Sequence, residues 1–343
     1  MRFPPLLLLA LLAFTTLGCS GVRFVIDAVP SDDSFVQTPV MRDEGASSSG
    51  PNIALIDVTG LILDAERPGL LAARENPVAR FAESLAVAAS DSKIKAVILR
   101  INSPGGGVTA SDLMYREVMH FKKNTQKPVI VLMADVAASG GYYLACSGDE
   151  LIAHPTTITG SIGVIIQTVN FSEGLSRIGI KAQSITSGPN KRMGSPFEPM
   201  TQEHHDLLQN IVNEFYGQFK SIVIASRPNL KKEDLDSITD GRVVTGTHAA
   251  EVGLVDSVGD LRDAFAAAKR RASLSSAQLV KFHRALEYVG SAYASAPPLN
   301  PSSASQQIPG GSQTNLLQIN IDSLGLSENP GFYYLWDPST VWP

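Results

Sequence analysis

A chain of 343 residues, 44% of them hydrophobic and with charges of both signs, is long enough to bury a sizeable core and is not a wholly disordered protein. Its formal net charge of -5, with no block of lysine or arginine, excludes the basic surface that neutralising nucleic-acid phosphates requires. Cys19 and Cys146 are the only cysteines, and the first lies in a leader-like segment, so no internal disulfide is expected.

Met1-Arg2 followed by the apolar stretch Phe3 to Phe14 is too short to span a bilayer comfortably and reads as a secretory signal over residues 1–18. Thr15-Thr16-Leu17-Gly18-Cys19-Ser20 resembles a bacterial lipoprotein cleavage site, with Thr16 where such sites usually carry leucine. That resemblance implies Cys19 as the lipid-bearing first residue of the mature chain, anchored to a membrane of the cell envelope and facing the periplasm. An ordinary signal peptide or an uncleaved anchor is the alternative, and which membrane holds the lipid is left open. Residues 19–51 contain polar Pro, Ser, Asp and Gly tracts and read as a flexible tether.

From residue 52 the pattern changes. Asn52 to Val58 alternates as a strand, and Pro77 to Ala89 carries apolar residues at helical spacing. Then come a strand over Ile94 to Ile101, a glycine loop, a helix from about Thr109 to Phe121, a strand over Val129 to Met133 and a helix opening near Ser139. Cys146, in the apolar stretch after Ser139, reads as a small buried hydrophobe. Further strands are expected at Leu151 to Ala153, Gly163 to Val169 and Ile180 to Ile185, with a short helix around Phe171 to Ile178. A long helix spans about Gln202 to Ala225, with Thr201 as its N-cap and His204 and His205 read as solvated. A closing unit ends with a helix over Leu261 to about Ala272. Val- and Ile-rich strands separated by amphipathic helices predict an α/β fold, largely parallel, in one catalytic domain over residues 52–272. Residues 273–295 read as an extension and 296–343 as a Pro- and Ser-rich tail ending in Gly331-Phe332-Tyr333-Tyr334-Leu335-Trp336. That aromatic cluster is suited to docking on a neighbouring subunit, a groove or its own domain.

Three stretches carry candidate chemistry. Ser139, in Ala138-Ser139-Gly140-Gly141, stands at a strand-to-helix junction, where a hydroxyl can be exposed in a cleft next to helix amides. Capping the helix is the simpler role for such a serine, but two following glycines weaken the helix start and point to close ligand approach. Gly105, Gly106 and Gly107 follow a strand and precede a helix, so missing side chains let a substrate carbonyl approach backbone amides, as does the Gly140 amide. A phosphate loop is disfavoured because no Gly-Lys-Ser/Thr follows. A base is harder to find: of His120, His154, His204, His205, His248 and His283, only His154 is near Ser139 in sequence. Lys191 lies in a loop after a strand, and a lysine serves as a base only when neutral, which requires burial or nearby positive charge. Ser161, in Thr159-Gly160-Ser161-Ile162-Gly163, can orient such a lysine or be a plain turn serine.

Together, Asn102 to Gly107, Ala138 to Tyr143, Thr159 to Val164 and Lys191 to Met200 resemble the short, single-domain form of the bacterial signal peptide peptidase A family, peptidase family S49. The resemblance covers roughly Asn52 to Ala272. It implies a Clp protease/crotonase-like fold, Ser139 as nucleophile, Lys191 as general base and Ser161 as the hydroxyl that orients the lysine. It also implies an oxyanion hole from the Gly106 and Gly140 amides, with Gly105 a further contributor, and neither cofactor nor metal. The implied substrates are apolar peptides, including remnant signal peptides. The implied assembly is a homo-oligomer in which serine and lysine come from adjacent subunits. Two other readings are a crotonase-like acyl-CoA enzyme, which export disfavours, and a noncatalytic envelope lipoprotein, which the set Ser139, Ser161 and Lys191 disfavours.

Overall fold

Residues 35–65, 76–231, 233–284, 287, 289–294 and 331–336 are described by a computed structural model of the chain. The expected signal peptide, Cys19 and most of the tail lie outside the described residues. Among the described residues no helix is long and apolar enough to cross a membrane.

In chain order the elements begin with β1 (Val36–Arg42), β2 (Asn52–Thr59), α1 (Pro77–Ser90), β3 (Ile94–Ser103), β4 (Gly105–Gly107) and α2 (Val108–Thr125). They continue with β5 (Val129–Ala138), α3 (Gly140–Ala145), β6 (Glu150–Ala153), β7 (Ile158–Gly160), α4 (Ser172–Arg177), a 3-10 turn (Pro189–Arg192) and α5 (Gln202–Ser226). After them come α6 (Leu235–Ile238), β8 (Val243–Thr245), α7 (Gly246–Val252), β9 (Ser257–Val258), α8 (Leu261–Arg271), β10 (Gln278–His283) and β11 (Tyr333–Leu335). The main sheet runs in the order β1-β10-β2-β3-β5-β6-β9, with β7 and β8 branching from β5. All its pairings are parallel except β1 with β10 and β7 with β8. This is the expected α/β class.

Strand alternation divides the core between the two faces of the sheet. Ile53, Leu55, Ile98 and Ile130 meet Leu261, Phe265 and Ala268 of α8. Ala54, Ile56, Val97, Leu99 and Val131 belong to the opposite cluster, with Phe81 and Leu85 of α1, Met114 and Val118 of α2, and Phe219 and Val223 of α5. On the α8 face, Arg100 and Lys281 are both buried because each grips Asp57 on a neighbouring strand, Arg100 at 2.7 Å.

The helix starts follow their sequences. Asn76 accepts from the amides of Val78 and Ala79 with Pro77 in the first turn, and Asp260 and Asp263 form a reciprocal capping box on α8. Thr201 accepts from the His204 amide, as its position before α5 predicts.

The structure departs from the expected organisation in three places. Val36–Arg42, expected within the flexible tether, is an edge strand paired with β10, and its register shifts next to Pro39, which cannot donate to a ladder. Gln278–His283, expected in an extension outside the domain, is a fully buried interior strand between β1 and β2. The strands expected at 163–169 and 180–185 do not form; the first contributes one bridge at Ile165, and the second is exposed chain with Ile185 wholly in solvent. Apolar alternation marks residues that need cover; Val164 packs on the core and Ile165 bridges Tyr333, whereas Ile180 and Ile185 are exposed among the described residues.

Candidate active site

β5 runs from the interior to Ser139, and α3 starts at the next residue. The turn between them is tight, with Ser139 at φ 52° and ψ -115°, a left-handed backbone that is costly for any residue with a side chain. Two hydrogen bonds hold it there. The Ser139 amide donates to the Gly160 carbonyl at 2.8 Å, and its carbonyl accepts from the Tyr143 amide at 2.8 Å. The hydroxyl does not cap the helix. Ser139 is buried, and its Oγ has no hydrogen-bond partner among the described residues. A buried hydroxyl without a partner in a strained turn is costly to keep on packing grounds alone.

The glycine loop lies beside this turn. Ile62 donates to the Gly105 carbonyl at 2.8 Å and accepts from the Gly107 amide at 2.9 Å, so the Gly106 amide faces the opposite side, away from Ile62. The Gly105 amide is taken, donating to Ser103 Oγ at 3.1 Å. Gly105 therefore serves the loop as a wall, at φ 103°, while the Gly106 amide points toward Tyr334 of β11, its paired residue, and the Gly140 amide lies beside Gly105. These two glycines are also sterically required: a Cβ at Gly106 would lie 1.9 Å from the Ile62 carbonyl oxygen, and one at Gly140 would lie 2.4 Å from Ser111 Oγ.

Ser161 follows β7, which pairs with β5 through Ala138 and Gly160, so it lies next to Ser139 across the strands. It is buried, and its amide donates to the Arg242 carbonyl at 2.7 Å. Lys191 sits in the exposed 3-10 turn, with no hydrogen bond to Ser139. The turn is anchored by its neighbours. Arg192 pairs at 2.8 Å with Glu198, whose other oxygen accepts from the Ser184 amide, and these bonds hold the Glu198 carboxyl below its ordinary range. His204, expected in solvent, is buried and donates from Nε2 to the Pro189 carbonyl at 3.2 Å, tying the lysine turn to α5. The missed signal is the spacing of His204 to Leu208, one turn apart on the inner side of that helix.

No histidine reaches Ser139. His154 is exposed and bonds Thr156; His120 bonds Asn124, His248 bonds Glu251, His205 meets Asp206 and His283 bonds Thr38. Cys146, at the C-terminal end of α3, is buried, and burial pushes its thiol up to about 11, out of the reactive range.

Comparison with known proteins identifies the family. The family model described as Peptidase family S49 matches residues 121–275. The chain is 33% identical over 240 residues to a putative signal peptide peptidase SppA of Enterococcus faecium, covering 70% of this chain and 69% of that one. It is 35% identical over 218 residues to the putative protease slr0021 of Synechocystis, covering 64% of this chain and 73% of that one. Against Protease 4 of Haemophilus influenzae it is 36% identical over 234 residues, covering 68% of this chain and 36% of the longer relative. Among solved structures, a mutant of the 1510-N membrane-bound stomatin-specific protease aligns with a TM-score of 0.40 and 16% identity, over 63% of this chain and 83% of that one.

Proposed function

This chain belongs to peptidase family S49 and is a serine-type peptidase, and we propose that it cleaves apolar peptides, remnant signal peptides among them, with a Ser139–Lys191 dyad. The observation that carries the proposal is the Ser139 hydroxyl, buried, strained and without a partner among the described residues, beside two glycine amides. In this mechanism Ser139 Oγ attacks the scissile carbonyl as a neutral lysine takes its proton. The Gly106 and Gly140 amides receive the oxyanion, and the lysine returns the proton to the leaving amine. Ser161 orients the lysine, and Gly105 shapes the floor of the cleft.

The lysine comes from a neighbouring copy of the chain. Two features support this. Lys191 makes no bond to Ser139 of its own chain, and the segment around it exposes Phe171, Ile178, Ile180, Ile185 and Phe197, an apolar surface of the kind that subunit contacts cover. The membrane-surface setting follows from the leader, with Cys19 as the lipid anchor on the periplasmic side. Peptide hydrolysis by three variants tests the dyad. Ser139→Ala and Lys191→Ala lose nearly all turnover, while His154→Ala keeps it; full activity in Lys191→Ala removes the lysine mechanism.

A further inference from the structure

The segment between β7 and α5, which carries Lys191, forms two short helical pieces, α4 and the 3-10 turn, and is otherwise held by side chains. Many of its hydrogen bonds converge on one residue. Glu198 Oε1 accepts from the Ser184 amide at 2.5 Å, and Oε2 accepts from Arg192 Nη1 at 2.8 Å. The Glu198 carbonyl accepts from Asn170 Nδ2 at 2.6 Å, and the Phe171 amide donates to the Pro196 carbonyl at 2.6 Å. Residues far apart along the segment, at 170, 184, 192 and 198, are thereby clipped together. Glu198 is only 5% exposed, so its carboxylate is committed to these partners rather than to water. The lysine turn is consequently tethered at both ends: at Pro189 by His204, and at Arg192 by Glu198.

The two cations of the turn are treated differently. Arg192 is tied to Glu198, whereas the ammonium of Lys191, one residue back, is exposed and has no partner among the described residues. That difference has an electrostatic consequence. A lysine is a base only in its neutral form, which a neighbouring cation favours and a neighbouring carboxylate disfavours. Paired with Arg192, Glu198 presents little net charge of either sign. Its bonds hold the carboxyl below its ordinary range, so it stays ionised and keeps its grip on the guanidinium.

The remaining charged groups around the turn are few. On α5, Glu203 accepts from Asn190 Nδ2 at 3.2 Å, His204 meets the Pro189 carbonyl, and His205 and Asp206 lie 3.4 Å apart. Within the segment, Glu173 and Arg177 of α4 pair at 2.5 Å, and Lys181 is exposed. Glu203 has no cation partner among the described residues, so an unpaired Glu198 would add a second free carboxylate to the surroundings of Lys191.

We propose that Glu198 and Arg192 are positioning residues for Lys191: the pair locks the lysine turn to the rest of its segment and neutralises a carboxylate that would otherwise stand beside the base. The proposal deepens the peptidase reading and rests on it for the role of Lys191. Neither residue touches substrate in it.

Two readouts keep this claim apart from the peptidase reading. The first needs no catalysis. The full chain is labelled with trace acetic anhydride from about pH 6 to about pH 10, and acetylation of Lys191 is followed by mass spectrometry, which gives the pH at which that amine loses its proton. Glu198→Gln, which leaves the Arg192 cation unneutralised, should move this midpoint down by about half a pH unit. Arg192→Gln, which leaves the Glu198 carboxylate unneutralised, should move it up by about as much, and the double substitution should return it to that of the unaltered chain. Loosening of the turn alone would not produce opposite signs. Shifts in one direction, or none, overturn the inference. If Glu198→Gln fails to fold, Arg192→Gln and Arg192→Lys carry the test: the first moves the midpoint, the second retains the charge and leaves it in place, and any other result overturns the pairing.

The second readout is peptide hydrolysis. The rise of kcat/KM with pH should move with the labelling midpoint in each variant, and kcat should fall about tenfold in both single variants as the turn loosens. Midpoints that move as expected while the rate profile stays fixed overturn Lys191 as the base and leave the pairing assignment standing. A rate that depends on Lys191 while the midpoints stay fixed does the reverse.

Discussion

Ser139 and Ser161 stand side by side, one residue beyond the last paired positions of β5 and β7, and both adopt a left-handed backbone, with φ 52° and φ 51°. Neighbouring strands that turn the same way at the same level present two hydroxyl-bearing residues to one cleft. Strain of this kind costs ~1–3 kcal/mol per residue and is kept where the surroundings over-determine it.

Relieving that strain should separate stability from activity. Ser139→Gly is expected to abolish hydrolysis and to raise stability by about 1 kcal/mol, because relief of the left-handed backbone outweighs the added chain entropy. Ser139→Ala also abolishes hydrolysis but keeps the strain, so it lacks this gain. Thermal melts of the three proteins decide the matter; a Ser139→Gly melt at or below that of Ser139→Ala removes strain as a feature of the site.

Shared sites make a distinctive prediction for mixtures. Ser139→Ala and Lys191→Ala chains, each inactive alone, should regain measurable peptide hydrolysis when co-expressed, since some interfaces then pair an intact serine with an intact lysine. A mixture as inactive as its components places both groups in one chain.

His204 should act on rate through the lysine turn. His204→Ala releases Pro189 and is expected to lower kcat by about tenfold with little change in KM, because a small displacement of a base is felt in the chemical step. His204→Gln, whose amide can still donate to the Pro189 carbonyl, should recover part of that loss. An unaltered kcat in His204→Ala would show that the turn is held without it.

Acid stability should depend on Asp256. Burial raises its pKa, but two bonds from the buried Arg227, at 3.0 and 2.8 Å, and one from the Leu151 amide hold it below the ordinary carboxylate value. The stabilisation is therefore complete above the unfolded pKa of about 4 and is lost as pH falls through the lower folded value. Asp256→Asn should cost about 3 kcal/mol near pH 7, since Arg227 is left buried with only neutral partners. Its melting temperature should also fall less between pH 5 and pH 3 than that of the unaltered chain. Parallel acid limbs for the two proteins would contradict this assignment.

The helices and central strands were legible because their signals are local. Apolar spacing, the Thr201 cap and the Val- and Ile-rich runs each report on a few neighbouring residues. β10 was not legible, because Gln278–His283 mixes polar and apolar residues and is buried only by partners far away in sequence, Lys281 being tolerated through Asp57 on β2. In the site, Ser139, Ser161 and the glycine loop declared themselves by residue type at strand ends. Tyr334 did not, since nothing in an aromatic tail names Gly106 as its partner. The apolar residues at 163–169 and 180–185 gave a strand pattern, but among the described residues only Val164 and Ile165 find partners, and Ile180 and Ile185 stay exposed.

The position of β10 also bears on how the protein is made. The strand that joins β1 to the rest of the sheet is synthesised after all the other main-sheet strands, so a nascent chain holds β2 with an open edge until residue 283 has emerged. Pairing across so long a stretch of chain is slow and leaves apolar strands unprotected meanwhile. Closure of that edge is thereby deferred until β10, the last strand of the main sheet in chain order, has been made.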